Sequence, residues 1–152
     1  MFGDDKKTKA KGQQGKSAEA IVKAYLEGLH SQRQAFDWHR GYDARSAGGK
    51  FQRIAGDFSW YMPGRHGIIE VKEVAHKEHR LPYKNFEDSQ VGKCRIREMA
   101  GGVVHVLVYS SITKTWVSPP LELFRTRPGP AFGSWDLSGY VQWEDVQPIL
   151  DL

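Results

Sequence analysis

Hydrophobic residues recur at helical spacing from Lys16 to about His30. They follow the i, i+3, i+4, i+7 pattern of an amphipathic helix that packs one face on a core, at Ala18, Ile21, Val22, Tyr25, Leu26 and Leu29. At 100° per residue, Glu19 lies at the border of this apolar stripe, whereas Glu27 points away from it. The pattern therefore predicts a helix that presents one acidic residue beside its buried face.

The next segments alternate with the period of two that is typical of strands. A strand is predicted over 34–38, and two more over 56–62 and 67–74. Pro63-Gly64-Arg65-His66 separates the last two and favours a turn, so these strands should form a hairpin.

Helical and strand patterns continue to alternate in the second half of the chain. A helix is predicted over 86–99 with Asn85 as its N-cap, and Gly101-Gly102 ends it. Strands are predicted over 103–110 and 115–117, followed by a short helix that ends near Phe124. The fold class predicted from this order is α/β, and the aromatic C-terminal extension (127–152) should pack back on the domain.

Composition restricts the class of protein. The chain has 152 residues, which suits one domain, and its longest apolar runs are four or five residues, too short to span a membrane. The N-terminus has no apolar run of a secretory signal, and the single cysteine, Cys94, can form no intrachain disulfide. We therefore expect a cytoplasmic protein without a membrane partner.

Basic residues concentrate in two stretches. Residues 1–15 form a basic arm without periodicity, expected to be flexible, ahead of a single domain over 16–152. The arm and the first position of the helix carry five lysines, and a Gly/Ser-rich loop over 39–55 carries four more basic residues. Such stretches suit a DNA backbone, although each alone is also typical of a solvated tail or loop. The candidate DNA-binding residues are Lys6, Lys7, Lys9, Lys11, Lys16, Arg40, Arg45, Lys50 and Arg53.

The predicted hairpin brings charged side chains together. Phe58 and Trp60 with Ile69 and Val71 suit the core side, which places Asp57, Glu70 and Lys72 together on the other face. Paired residues must then have numbers with an odd sum, for example Asp57 opposite Lys72.

Two carboxylates and a lysine can serve phosphodiester hydrolysis. Carboxylate oxygens hold a hard divalent cation, and the ammonium group orients or activates a bound water. The alternative is a solvent-facing Glu-Lys pair on an edge strand. Glu19 could add a third carboxylate, or it could be an ordinary first-turn glutamate that the helix dipole favours.

These residues resemble the signature of the PD-(D/E)XK nucleases. Gly56-Asp57 and Glu70-Val71-Lys72 match it, and their surroundings are similar to the RecU-type Holliday junction resolvases of Gram-positive bacteria and their phages. The resemblance spans about residues 15–124, with Ser89 standing where the family often has histidine. Its further matching residues, in the family's order, are Gly15, Glu19, Glu73, Arg80-Leu81-Pro82, Asn85-Phe86, Gln90, Gly101-Gly102 and Val103 to Val108.

The resemblance implies a PD-(D/E)XK nuclease-like mixed β-sheet flanked by helices, together with a catalytic set and a substrate. Glu19, Asp57, Glu70, Lys72 and Gln90 would be catalytic, with Mg²⁺, or Mn²⁺ in its place, held by Asp57, Glu70, the Val71 carbonyl and Glu19. The loop over 39–55 occupies the position of the family's stalk, which enters the junction. A homodimer would then nick two opposing strands of a four-way DNA junction. The expected setting is the bacterial cytoplasm, or the host cytoplasm for a phage-encoded protein.

Two other functions remain open at the level of sequence. The same fold serves nucleases that cut replication forks, mismatches or restriction sites. A non-catalytic DNA-binding module is the other alternative, although the intact Asp57, Glu70 and Lys72 argue against it.

Overall fold

The computed structural model of this chain describes residues 16–41 and 56–152. The basic arm and most of the 39–55 loop, the expected stalk, lie outside the described residues. The α-helices and strands are α1 (Lys16–Gln32), β1 (Asp37–Arg40), β2 (Phe58–Met62), β3 (Arg65–Val74), β4 (Leu81–Pro82), α2 (Asp88–Met99), β5 (Val103–Ser110), β6 (Thr115–Val117), β7 (Ser134–Trp135) and α3 (Gln147–Leu150). Short 3₁₀ helices cover Tyr83–Asn85 and Leu121–Arg125.

In the described part of the chain, five strands form a mixed sheet in the order β1-β2-β3-β5-β6. The pairs β1–β2, β2–β3 and β5–β6 are antiparallel, whereas β3 and β5 run parallel and are joined by a crossover that contains α2. β4 and β7 form a separate two-stranded ribbon. The α/β class predicted from the sequence is confirmed.

Hydrophobic cores cover both faces of the sheet. Phe58, Trp60, Ile69 and Val71 pack beneath α1, on the face that the sequence predicted. The opposite face carries Ile68 and Val74 and packs against α2, both 3₁₀ helices and the ribbon. β3 therefore lies between two apolar layers, which is typical of a strand with a parallel neighbour.

The C-terminal extension crosses from one core to the other. Trp135 and Leu137 are buried in the core beneath α2, and Val146 and Leu150 are buried in the core beneath α1. Between them Trp143 lies beside β6, where it exchanges two backbone hydrogen bonds with Trp116, of 2.7 and 2.8 Å. The extension therefore packs back on the domain, as predicted, and pairs with the outer edge of β6.

Several predicted boundaries are wrong by a few residues. β1 begins at Asp37 and includes His39 and Arg40, because α1 continues to Gln32 and a turn follows it. His30 Nδ1 lies 2.8 Å from the Phe36 carbonyl oxygen, which fixes this turn against the helix.

The start of α2 also differs from the prediction. Asn85 belongs to a 3₁₀ helix, and the N-cap of α2 is Glu87. Glu87 forms a capping box with Gln90, in which each side chain binds the backbone N–H of the other. The box satisfies two N–H groups that the first turn of a helix leaves without partners, so α2 begins at Asp88.

Among residues 16–41 and 56–152, no helix combines the length and the apolar character needed to cross a membrane.

Candidate active site

Asp57 is attached to the backbone of β3 at two points. Its N–H donates to the Ile69 carbonyl over 2.8 Å, and its Oδ2 accepts the Val71 N–H over 2.6 Å. β2 begins only at Phe58, so no residue of β2 lies opposite Val71. The Asp57 side chain accepts the Val71 N–H that a longer β2 would otherwise bind. The N–H and C=O of a strand residue point to the same edge, so the Val71 carbonyl also faces the edge where Asp57 lies.

The register of the hairpin places Asp57 level with Glu70. Phe58 pairs with Ile69 and Met62 pairs with Arg65, so the sum of paired numbers is odd, as predicted. The predicted pairing of Asp57 with Lys72 is wrong by two residues, because the loop contains only Pro63 and Gly64. Gly64 has a φ of +73°, a conformation that glycine adopts without a steric penalty.

Glu70 and Lys72 form a buried ion pair on the face of β3 that α2 covers. Lys72 Nζ lies 2.9 Å from Glu70 Oε1, and Glu70 is only 3% exposed. The alternative of a solvent-facing pair is therefore wrong. Cys94 of α2 lies near the Glu70 carboxylate. Burial, and then the negative charge of Glu70, raise the pKa of the Cys94 thiol to about 12.

The carboxyl group of Asp57 is strongly perturbed. Burial and the nearby Glu70 carboxylate raise its pKa to about 7, although the Val71 N–H and the charge of Lys72 oppose this rise. Two carboxylates that share a partly buried site repel each other when both are ionised. The site therefore favours either a proton on Asp57 or an added positive charge.

Glu19 faces this site from the first turn of α1. Burial and the charge of Asp57 raise its pKa, while Arg40 lowers it through an ion pair in which Arg40 Nη2 lies 2.7 Å from Glu19 Oε2. Lys72 also lowers the pKa of Glu19. Glu27 is exposed and pairs with Lys23, in agreement with the helical pattern.

Two residues near the site were not assigned a role from the sequence. Glu73 Oε1 accepts the Ala18 N–H over 3.2 Å, which ties the N-terminal turn of α1 to β3. Strand alternation places Glu73 on the same face of β3 as Ile69 and Val71, so the sequence pattern could have predicted that Glu73 faces α1. Phe86 packs against Lys72, with Nζ 5.0 Å from the ring centroid, and no sequence pattern indicated this contact.

The remaining predicted residues contribute less to the described site. Gln90 accepts the Glu87 N–H over 3.1 Å with its side-chain oxygen, so its visible role is to cap α2. Among the candidate DNA-binding residues, Arg40 is described and lies beside Glu19. Lys16 begins α1. The other candidates lie outside the described ranges: Lys6, Lys7, Lys9, Lys11, Arg45, Lys50 and Arg53.

The donor set suits a hard divalent cation. Asp57, Glu70 and Glu19 offer carboxylate oxygens, and the mutual repulsion of Asp57 and Glu70 is relieved by a positive charge between them. Within residues 16–41 and 56–152, no three His, Cys, Asp or Glu side chains are already arranged around a common metal position.

Comparisons with known proteins identify the fold. No protein-family model matches the chain, and no curated protein matches it in sequence. A solved structure that is similar to it is Hjc of Archaeoglobus fulgidus, a Holliday junction resolvase from an archaeal hyperthermophile, with a TM-score of 0.52 and 15% sequence identity. The match covers 80% of this chain and 90% of Hjc.

The chain has the PD-(D/E)XK nuclease-like fold. In this nuclease-like fold, Asp57 lies directly before β2, and Glu70 and Lys72 lie on β3. The order and spacing of these residues are those of the signature on which the sequence resemblance rests.

Proposed function

We propose that this chain is a Holliday junction resolvase of the RecU type, a DNA endonuclease that makes paired nicks in four-way junctions. The observation that carries the proposal is the convergence of Asp57, Glu70 and Lys72 on one face of a sheet whose fold is similar to that of the resolvase Hjc. Residues 16–152 would form the nuclease domain, encoded by a bacterium or by its phage and acting in the cytoplasm.

Asp57, Glu70, Glu19 and the Val71 carbonyl would hold Mg²⁺, with Mn²⁺ as a substitute. When bound, the cation would supply Lewis-acid activation of a water and of the scissile phosphate. Asp57 would bind as a carboxylate, because a cation between it and Glu70 offsets the repulsion that raises its pKa.

Lys72 would act on the attacking water. Its ammonium is largely buried and already bonded to an anionic oxygen of Glu70, so it is positioned before substrate binds. In the reaction, Lys72 would orient the water toward the phosphorus and stabilise the negative charge that develops on the phosphoryl oxygens. The products would carry 5′-phosphate and 3′-hydroxyl ends.

Junction selectivity would come from charge outside the catalytic site. Arg40 ends β1 directly before the 42–55 segment, whose Arg45, Lys50 and Arg53 would contact junction phosphates, with the N-terminal lysines on a DNA arm. A homodimer would place two such active sites on the two opposing strands of one junction, because a two-fold axis matches the symmetry of the substrate.

The test is cleavage of a synthetic four-way junction beside a linear duplex of the same sequence, each with Mg²⁺ and with EDTA. We expect Mg²⁺-dependent paired nicks in the junction and little cutting of the duplex. Asp57→Asn and Glu70→Gln should bind the junction without cutting it, whereas Glu27→Gln, on the solvent side of α1, should cut normally.

Three results would contradict the proposal. Equal cutting of junction and duplex would indicate a nuclease for another DNA substrate. Absence of cutting with any divalent cation would indicate a DNA-binding module, and retained cutting by Asp57→Asn would overturn the site.

A further inference from the structure

Lys72 has an aromatic contact in addition to its ion pair. Its Nζ lies 2.9 Å from Glu70 Oε1 and 5.0 Å from the centroid of the Phe86 ring. An ammonium group within about 6 Å of a ring face is attracted by the ring's quadrupole, most strongly where water is excluded. Phe86 is fully buried and the Lys72 side chain is 13% exposed, so the contact is largely shielded from solvent.

The Phe86 ring is held in place by residues that follow β6. Phe124 lies 5.0 Å from it and Trp135 lies 6.5 Å from it, both measured between ring centroids. The backbone is fixed as well, because Arg127 Nη2 donates to the Phe86 carbonyl over 2.8 Å. The ring therefore forms part of a rigid aromatic cluster, and two of its supports, Arg127 and Trp135, belong to the C-terminal extension.

The two partners of Lys72 differ in how they respond to a bound cation. Glu70 cannot give its full charge to Lys72 while its oxygens also bind a divalent cation. The Phe86 ring is not a ligand of the cation, so its attraction for the Lys72 ammonium persists when the cation is bound. The ring then remains as a contact that keeps Lys72 Nζ on the active-site face.

We propose that Phe86 is a positioning residue for Lys72, and that Phe124, Arg127 and Trp135 fix Phe86 for this purpose. The proposal rests on the function proposed above, in which Lys72 acts on the attacking water. It assigns the segment after β6 a role in the geometry of the active site.

The contact is tested first by NMR, without reference to cleavage. In wild-type protein, nuclear Overhauser effects should connect the Lys72 ε-methylene protons with the Phe86 ring protons, and the ring current should shift the methylene signal upfield. Phe86→Leu should remove the upfield shift. Phe36→Leu is the matched control, because Phe36 is also buried but lies in the core beneath α1, and it should leave the signal displaced.

Rate measurements then test the role. Pentafluorophenylalanine keeps the shape of the ring but reverses its quadrupole, so it preserves packing while it removes the attraction for an ammonium. At position 86 it should lower kcat for junction cutting about tenfold with KM unchanged, and at position 36, in the core beneath α1, it should change neither.

The outcomes separate this proposal from the one on which it rests. Equal losses of kcat at positions 86 and 36, or no loss at position 86, would overturn the positioning role. Absence of the Lys72–Phe86 Overhauser effects in wild-type protein would also overturn it. If the wild-type protein cuts no DNA, the proposed function fails, and the NMR result still reports whether the contact exists.

Discussion

Arg40 and Glu19 form an ion pair that joins the end of β1 to the first turn of α1, with Nη2 and Oε2 2.7 Å apart. Glu19 therefore has a cationic partner before any metal binds. A divalent cation bound by Glu19 would compete with Arg40 for the charge of this carboxylate, so the pair would lower the affinity for metal.

Removing the competing charge should strengthen metal binding. Arg40→Gln should bind Mn²⁺ about two- to fivefold more tightly in the absence of DNA, a modest factor because the Arg40 side chain is 54% exposed. Isothermal titration calorimetry measures this change. Arg33→Gln is the control, since Arg33 bonds to the Leu152 carbonyl. An unchanged Kd for Arg40→Gln would contradict competition at Glu19.

The pKa of Asp57 predicts how stability depends on pH. Because burial and Glu70 raise this pKa from its ordinary 3.8 to about 7, the native protein binds more protons than the unfolded chain between these values. The free energy of unfolding should therefore fall as the pH rises from about 4 to about 7 in the absence of divalent cations. Asp57→Asn should weaken this dependence.

Urea denaturation at pH 5 and pH 8 in EDTA measures the effect. Added Mg²⁺ should restore stability to the wild type at pH 8 more than to Asp57→Asn. Identical pH dependence in the wild type and Asp57→Asn would show that Asp57 does not carry the shifted proton.

Loss of the Lys72 ammonium should affect rate more than binding. Lys72→Ala should cut a junction about 10²–10⁴-fold more slowly, the range for a positioned acid–base group, with little change in junction affinity. Single-turnover kinetics and a binding titration at fixed salt concentration separate the two quantities. A lysine that only binds phosphate would instead give weaker binding and a smaller dependence of affinity on salt.

Gln90 should be needed for the start of α2. Gln90→Ala removes the acceptor for the Glu87 N–H and should lower the free energy of unfolding by about 0.5–2 kcal/mol. Gln90→Glu retains an acceptor at the same position of the capping box and should stay close to wild type. Equal destabilisation by both substitutions would contradict the capping role.

The segment over 42–55 should control shape selectivity. Neutralising Arg45, Lys50 and Arg53 together should lower the ratio of junction to duplex affinity, measured at one salt concentration. Replacing Lys6, Lys7, Lys9 and Lys11 with glutamine is the comparison, and it should weaken binding to both DNAs alike. An unchanged ratio in the first variant would exclude this segment as the recognition element.

Strand alternation predicted much of the candidate site. It placed Asp57, Glu70 and Lys72 on one side of the hairpin, because only one assignment buries both Phe58 and Ile69 beneath α1. It did not predict the register, since a loop of two residues and a loop of four satisfy the same alternation. The residue of β3 that lies opposite Asp57 thus depends on the length of the turn at Pro63-Gly64.

The burial of Glu70 could not be predicted from its local sequence, because it depends on distant parts of the chain. A Glu-x-Lys strand can be exposed or covered, and the cover here comes from α2 and the residues after β6. The Lys72–Phe86 contact depends on the same tertiary packing. Local sequence patterns predicted β5 and β6 residue by residue, but they do not determine which layers lie against a given strand.

The pairing of Trp143 with Trp116 has a consequence for synthesis of the chain. Proteins are made from the N-terminus, so α1, the sheet strands and α2 are complete before Trp143 is added. Until then the outer edge of β6 presents unpaired backbone groups that can pair with another nascent chain. Trp143 therefore covers the β6 edge only after the rest of the sheet has been made, and ribosomes stalled near position 130 should release chains that aggregate more than chains extended past Trp143.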